Sequence, residues 1–431
     1  MLENELFEQA PVHKAYFKFA LPVVFSMVVS LVYNMVDTYF IAQTGNTNLV
    51  AGVSLGAPIF TLMIALGDIF GLGGSSVISR LFGQKRDEDG KRLSVFCFYA
   101  ALLCGIIIAI LLLLLRTPIL YLLGADTETF AYASQYFTVI VLGAPFIIVS
   151  YTPANLLRTE GFATASMTGT ILGAIVNMIL DPLLVLGVGP FPRLEVVGAA
   201  VATVTAQIIV LLILVAEILR DHGEANVLHK IRLLSRPDIA CLKGVFRIGT
   251  PTALQGSLYC IISMILTRMV SGFGDGAIAV QRVGGQIESL SWNTADGFGS
   301  ALNAFMGQNY GAGKKDRIKS GYHISIRLLI CWAALITIAF VFFPRQISVL
   351  FFHEEEVIRL SVDYLRIIGF SEIFLSVEMM TVGALSGLGR TQLCSLISVG
   401  LTVIRIPLAL VLSNTALGLN GIWWALTLST V

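Results

Sequence analysis

Apolar runs of roughly 20 residues recur along the whole chain, separated by short polar stretches. They fall near 16–40, 50–78, 93–115, 132–156, 164–188, 196–218, 247–272, 278–305, 321–343, 361–386, 392–413 and 419–431. A helix rises about 1.5 Å per residue, so about 20 residues cross the ~30 Å hydrocarbon core of a bilayer. Such runs are about twice the length of the alternating segments in an outer-membrane barrel. The pattern predicts an all-α integral membrane protein with 12 transmembrane helices. The twelfth run is too short to cross, and the sequence given is expected to stop inside that helix, leaving it truncated.

Composition sharpens this reading. Of 431 residues, 56 % are hydrophobic and 13 % charged, with mean hydropathy +0.83; soluble proteins carry about 25 % charged residues. The net charge of +1 gives no reason to expect nucleic acid as a partner. Five of the six cysteines, Cys97, Cys104, Cys260, Cys331 and Cys394, lie inside apolar runs, and Cys241 lies in a basic loop. None has metal-type spacing, so neither a disulfide nor a zinc site is expected. The opening MLENELFEQAPVHK lacks the basic region and small-residue cleavage site of a signal peptide, so the first helix is expected to stay in the mature protein.

The basic residues sit in alternate loops: Lys14 and Lys18; Arg80, Lys85, Arg86, Lys91 and Arg92; Arg158; Arg220, Lys230, Arg232, Arg236, Lys243 and Arg247; Lys314, Lys315, Arg317, Lys319 and Arg327; Arg390. Together these are 20 of the 28 Lys and Arg. Positive loops stay on the cytoplasmic side. The N-terminus is therefore expected in the cytoplasm, in a multi-pass protein of the cytoplasmic (inner) membrane.

The longest polar stretch, Arg220 to Lys243, divides the chain into two sets of six spans. The expected organisation is an N-lobe over 1–219, a cytoplasmic linker over 220–243 and a C-lobe over 244–431. The halves repeat at an offset of 225–229: Pro22 with Pro251, Asp68 with Asp296, Gly83 with Gly311, Gly161 with Gly389, Pro182 with Pro407. Parallel repeats related by an axis along the membrane normal are a transporter arrangement.

Chemistry is expected where charge lies deep in an apolar run. Asp37 stands in the last third of the first span and reads as a cation or proton site; a carboxylate solvated at the membrane edge is the alternative. Asn177 and Asp181 are four apart and share a helix face. An amide oxygen beside a carboxylate suits a hard cation such as Na⁺, and the same pair could hold a proton; interhelical bonding and capping are the plainer roles. Asp181 precedes Pro182, which frees a backbone carbonyl one turn earlier. The small-residue run Gly198 to Gln207 favours close packing, and Thr203 could lend a hydroxyl. Thr402, Arg405 and Ile406 occupy the matching region of the second half, so the carboxylate site is expected in the first. Asp68 and Asp296, at equivalent places in the repeat, read as structural. Glu288 and Glu378 lie nearer mid-span and could meet a cationic substrate or pair with Arg282 or Arg405. His353 to Glu356 reads as a solvated external loop. Residues expected near a substrate cavity, from depth and polarity, are Tyr33, Asn34, Asn155, Gln207, Glu288 and Glu378.

Catalysis is not indicated. Gly313-Lys314 fails as a phosphate loop, because Gln308 stands where its first glycine belongs and Lys315 where Ser or Thr is needed. No nucleophile elbow or metal-protease motif is present. The chain reads as a non-enzyme.

Five stretches carry a family resemblance: ALP at Ala20 to Pro22, NMVDTYFIA at Asn34 to Ala42, the run from Arg158 to Gly189, GAAVAT at Gly198 to Thr203, and MGQNYGAGKKDRI at Met306 to Ile318. Together they resemble the multidrug and toxic compound extrusion (MATE) family, in its bacterial and archaeal branch with a cation site in the N-lobe, over nearly the whole chain. The resemblance implies two six-helix lobes in a V shape and cation-driven efflux of amphipathic, mostly cationic compounds. It implies Asp37, Asn177, Asp181 and Thr203 as the cation site and Pro22 as the bend point of the first helix. Another branch carries a glutamate in the seventh helix; Gln255 to Ile265 holds no acid here. No cofactor is expected beyond a coupling ion, H⁺ or Na⁺, and no metal beyond possible Na⁺. The expected partners are small amphipathic cations and membrane lipid, with the chain a monomer. A flippase for lipid-linked oligosaccharides or cell-wall precursors is the alternative, and a receptor or membrane enzyme is disfavoured by the repeat and the missing motifs.

Overall fold

A computed structural model of the protein describes residues 11–42, 44, 47–123, 125, 127, 129–220 and 239–431. Most of the polar linker expected over 220–243, with His222 and His229, lies outside them. Among the described residues every regular element is a helix. In chain order these are α1 (Val12–Ala42), α2 (Thr47–Gly83), α3 (Asp87–Leu114), α4 (Arg116–Leu122), α5 (Phe130–Leu142), α6 (Ala144–Thr159), α7 (Ala163–Val185) and α8 (Glu195–Leu219). The second half continues with α9 (Ile239–Ser271), α10 (Asp275–Gly311), α11 (Lys315–Phe342), α12 (Pro344–Val349), α13 (Glu355–Gly369), α14 (Glu372–Gly387), α15 (Thr391–Val403), α16 (Arg405–Ser413) and α17 (Leu419–Thr430).

All twelve apolar runs coincide with helix. Eight spans are long and apolar enough to cross a membrane, and the count reaches ten when each of two bent pairs is one span. The two remaining runs are α10, which is 37 residues long but more polar, and the 12-residue α17. Three runs read as continuous are interrupted. The α5–α6 pair bends by 48° at Gly143, just before Pro145, and α13–α14 by 47° at Phe370 and Ser371. In the second bend Thr337 Oγ1 donates to the Gly369 carbonyl at 3.0 Å and Ser371 Oγ to that of Ile368 at 2.9 Å, so side chains take up carbonyls that the helix gives up. The α15–α16 break falls at Ile404, three residues before Pro407, which has no N–H to give and crowds the preceding turn.

The repeat seen in the residues is also a repeat of helices. Both α2 and α10 have 37 residues, and both α3 and α11 have 28. Short α4 and α12 follow, then the two bent pairs. Four helix ends share one hydrogen-bond pattern, five residues apart: Arg86 N–H to Leu81, Phe162 to Leu157, Lys314 to Asn309, and Arg390 to Leu385, at 2.8–2.9 Å. The left-handed residue this turn needs is glycine at Gly161, Gly313 and Gly389, and is Lys85 at the fourth.

The halves meet along one end of the bundle. A Cβ on Gly83 would strike the Gln308 carbonyl, and one on Gly311 would strike that of Arg80. These two contacts are the same contact seen from each half, because 80 and 308, like 83 and 311, are equivalent positions in the repeat. Gly73 lies against Gly249. Ser76 Oγ donates to the Ser386 carbonyl, Gln308 Nε2 to that of Thr159, and Tyr16 OH to that of Phe298 at 3.0 Å. The start of α1, at Tyr16, Ala20 and Val23, packs against Phe298, Leu302 and Phe305 of α10. All these residues belong to helix ends that carry the basic loops.

Small residues make this closure possible, so a bulky one should undo it. Overpacking costs about 1–3 kcal/mol, and about 1.4 kcal/mol is tenfold in an equilibrium. In Gly83→Leu, cross-linking of cysteines placed at Ser76 and Ser386 by a short bis-maleimide should fall by about tenfold against the same cysteine pair without Gly83→Leu. An unchanged yield would show that this contact does not hold the halves together.

Candidate functional site

Three groups of deeply placed charges emerge. The first gathers around α1, α7 and α8. Asp181 and Asn177 are buried, at 0 % and 1 % exposure, and both face into the bundle from α7. Asp37 comes from α1 and brings its carboxyl within hydrogen-bonding reach of the Asp181 carboxyl. Neither can donate to the other when both are ionised. Asp37 Oδ1, both Asp181 carboxyl oxygens and both polar atoms of the Asn177 amide are buried with no hydrogen-bond partner. Buried polar atoms are rarely left so. Five such atoms at one place describe a cradle that a proton or a small cation would satisfy.

The α7–α8 register places Thr203 at the same depth. Gly198 packs on the Leu184 carbonyl, Gly173 on Val210 and Gly169 on Leu214. Antiparallel pairing at those points sets Thr203 between the levels of Asn177 and Asp181, and it is 9 % exposed. Tyr33 stands one turn before Asp37, and both carboxyl charges act on it. Asn34 lies on the same stretch of α1. Tyr136 of α5 also feels Asp37, Asp181 and Tyr33, and it lies over Gly56. Nothing in the residue pattern separated Tyr136 from other aromatics of an apolar helix. The remaining cavity candidates of this half are engaged elsewhere. Gln207 Oε1 accepts from Ser150 Oγ at 3.1 Å, and Asn155 Nδ2 donates to the Tyr151 carbonyl of its own helix at 2.9 Å, against Gly71 of α2.

The second group lies between the halves. Asp68 of α2, Arg158 of α6 and Asp296 of α10 interact electrostatically. The sequence pattern sets Arg158 among the basic loops. It is instead in the last turn of α6 and buried, with Nε donating to Ser166 at 3.2 Å and Nη1 to Ser300 of the other half at 3.3 Å.

The third group lies in the second half. Tyr364 OH donates to Glu288 Oε2 at 3.0 Å, and Arg405 and Glu372 are within electrostatic range of Glu288. Arg405 is held over the Tyr259 ring at 5.4 Å and donates to Ser429 at 2.9 Å and Thr430 at 3.2 Å. Glu378 is apart from this group and accepts from Ser398 Oγ at 2.5 Å. Among the described residues no three or more His, Cys, Asp or Glu side chains gather as they would around a metal ion.

A profile of the MatE family matches residues 22–183 and 251–411, one match in each half. The chain belongs to the MatE family. It is 27 % identical over 427 residues to the multidrug export protein MepA of Staphylococcus aureus (strain MSSA476), covering 98 % of this chain and 92 % of that protein. The MepA of Staphylococcus saprophyticus is 26 % identical over 423 residues, with the same coverage. Among solved structures, a MOP superfamily transporter from Pyrococcus furiosus Vc1 (DSM3638) superposes with a TM-score of 0.91 at 24 % identity, covering 100 % of this chain and 95 % of that one. An outward-facing multidrug resistance MATE family transporter superposes with a TM-score of 0.90 at 24 % identity, with the same coverage. These likenesses place the fold. Within the MatE architecture the two matched segments differ in charge: Asp37 and Asp181 meet in the first, and Glu288 has Arg405 near it in the second.

Removing a cation that acts on a buried carboxylate leaves that charge less compensated. Arg405→Gln should therefore lower the midpoint of thermal unfolding in detergent by several degrees. Adding Glu288→Gln should restore a large part of the loss. A double variant as unstable as the single one would show that Arg405 stabilises through Tyr259, Ser429 and Thr430 instead.

Proposed function

We propose that this protein is a secondary active multidrug efflux transporter of the cytoplasmic membrane, exporting amphipathic, mostly cationic compounds by antiport with H⁺ or Na⁺. The observation that carries this reading is the set of unpartnered polar atoms on Asp37, Asn177 and Asp181. The similarity to multidrug export proteins supports the substrate class. The basic loops support a cytoplasmic N-terminus. With that orientation the bundle is closed on the cytoplasmic side. Val24, which lies against Gly297 of the other half, is 13 residues before Asp37, about 20 Å along the helix. The cation cradle then stands beyond the closure, on the side from which a driving ion enters.

The coupling follows from the charges. Two close carboxyls repel one another in a poorly polarisable interior, so a proton or a cation shared between them lowers the energy of the site. Asn177 and Thr203 would complete an oxygen cage for Na⁺, or hold the protonated pair in place. Neutralising Asp37 removes the cost of drawing α1 into a drier position. The bend then falls at Pro22, where the helix already lacks one backbone donor. Movement of α1 narrows the space that holds substrate and lets the halves reset. Each elementary charge crossing the membrane is worth about 2.3 kcal/mol per 100 mV, which supports a gradient of roughly fortyfold.

The test uses purified protein in liposomes with a fluorescent hydrophobic cation, and a Na⁺ gradient or a pH gradient imposed separately. Flux should respond to one gradient in the wild type and be lost in Asp37→Asn and Asp181→Asn. Gradient-dependent flux at the normal rate in Asp37→Asn would sink the coupling model. No flux under either gradient from well-folded protein would favour a lipid-linked substrate.

A further inference from the structure

A groove of about 260 Å³ opens between α11, α14 and the end of α10, far from the Asp37 cradle. Its walls are mostly apolar: Met306, Ile318, Ala384, Leu385 and Leu388. Tyr322 OH and Thr381 Oγ1 are joined at 3.0 Å across it. It is smaller than a typical pocket for a drug-sized ligand, but a segment of acyl chain fits its chemistry.

The rim of the groove is basic. Lys319 and His323 line it, and Arg327 continues the same helix face one turn on, at i, i+4 and i+8. All three are exposed. Among the described residues no carboxylate forms an ion pair with any of them. Neighbouring Arg317 differs: its Nε donates to Asn309 at 3.1 Å and it lies over the Phe305 ring. The repeat supplies an internal comparison. The equivalent places in the first half are Lys91, Val95 and Tyr99, and Lys91 is paired with Glu88 at 3.4 Å. The shared helix scaffold therefore does not require the stripe. Lys314 and Lys315 at the start of α11 mark that end as the one facing lipid headgroups. Lys and Arg a few turns deeper reach back to that level along their own stems.

We propose that this groove binds an anionic phospholipid, with an acyl chain against Met306, Tyr322 and Leu385 and the phosphate held by Lys319, His323 and Arg327. Basic sites between transmembrane helices on the positive side recognise such headgroups. A lipid seated there touches α10, α11 and α14 together. The α10 helix also carries the contacts that close the two halves, so occupancy would add weight to the closed arrangement.

Delipidated protein in detergent would be titrated with phosphatidylglycerol or phosphatidylcholine of the same chains, with binding read by native mass spectrometry. Phosphatidylglycerol should bind the wild type at least about tenfold more tightly. The preference should vanish in Lys319→Gln/Arg327→Gln and persist in Lys91→Gln. Leu385→Trp, which fills the groove and keeps the charges, should weaken both lipids. Equal binding of the two lipids by wild type, a preference retained in the double variant, or unchanged binding in Leu385→Trp would overturn the proposal. Displacement by soluble glycerol phosphate at the lipid's own concentration would also overturn it, since the site would then hold a free anion.

Discussion

A carboxylate inside an apolar bundle is costly unless something neutralises it, and the molecule meets that constraint in three ways. At Asp68 and Asp296 a buried arginine from α6 stands between the halves. At Glu288 a tyrosine donates and Arg405 is near. At Asp37 and Asp181 the protein supplies a second carboxyl, an amide and, by register, a hydroxyl, while Asp37 Oδ1 and both Asp181 oxygens accept no hydrogen bond. The first has a cation between its carboxyls; the second leaves both oxygens of buried Glu372 without a hydrogen bond. The third brings two carboxyls together with no basic side chain among the groups acting on them.

The closing of the halves depends on a different economy of atoms. Backbone approaches backbone where side chains have been reduced to hydrogen, at Gly83 and Gly311 and again at Gly73 and Gly249. Packing of this kind has no long side chains to disentangle, and the pseudo-twofold relation makes each contact on one half serve the other. Within a lipid environment, where apolar surface gains little by leaving lipid for protein, close van der Waals packing and hydrogen bonds are what remain to join helices. The same contacts that hold the closed end can therefore be released as a set. The charged cluster around Arg158 lies at this joint, with hydrogen bonds to Ser166 on one side and Ser300 on the other.

The two halves show how one scaffold carries two electrostatic characters. Helix lengths and bends repeat almost element for element. Where α7 presents Asn177 and Asp181, the second half has a helix broken at Ile404 with Arg405 just beyond it. Where the first half has the Asp181 carboxylate, the second has a guanidinium close enough to act on Glu288. The outer faces diverge as well, since Lys319, His323 and Arg327 have no basic counterpart beyond Lys91.

The helical runs and the internal repeat were legible in the residues, because each is local: run length and the spacing of prolines and glycines need no knowledge of neighbours. The pairing of Asn177 with Asp181 was legible for the same reason, being one turn of one helix. The meeting of Asp37 with Asp181 was suggested by resemblance, and the approach of Tyr136 was not suggested at all, because both require knowing which helices adjoin. The residues could not place Arg158 inside the bundle either; a lone arginine near an apolar run reads as a loop marker until a serine of the other half is found against it. Nor could they separate Glu288, set beside Arg405, from Glu378, bonded to Ser398 on α15. Sequence alone determined that charge would be carried at depth in a two-fold helical repeat. Tertiary structure decided which charges are neutralised by neighbours and which are left open, since that depends on distances between side chains far apart in the chain.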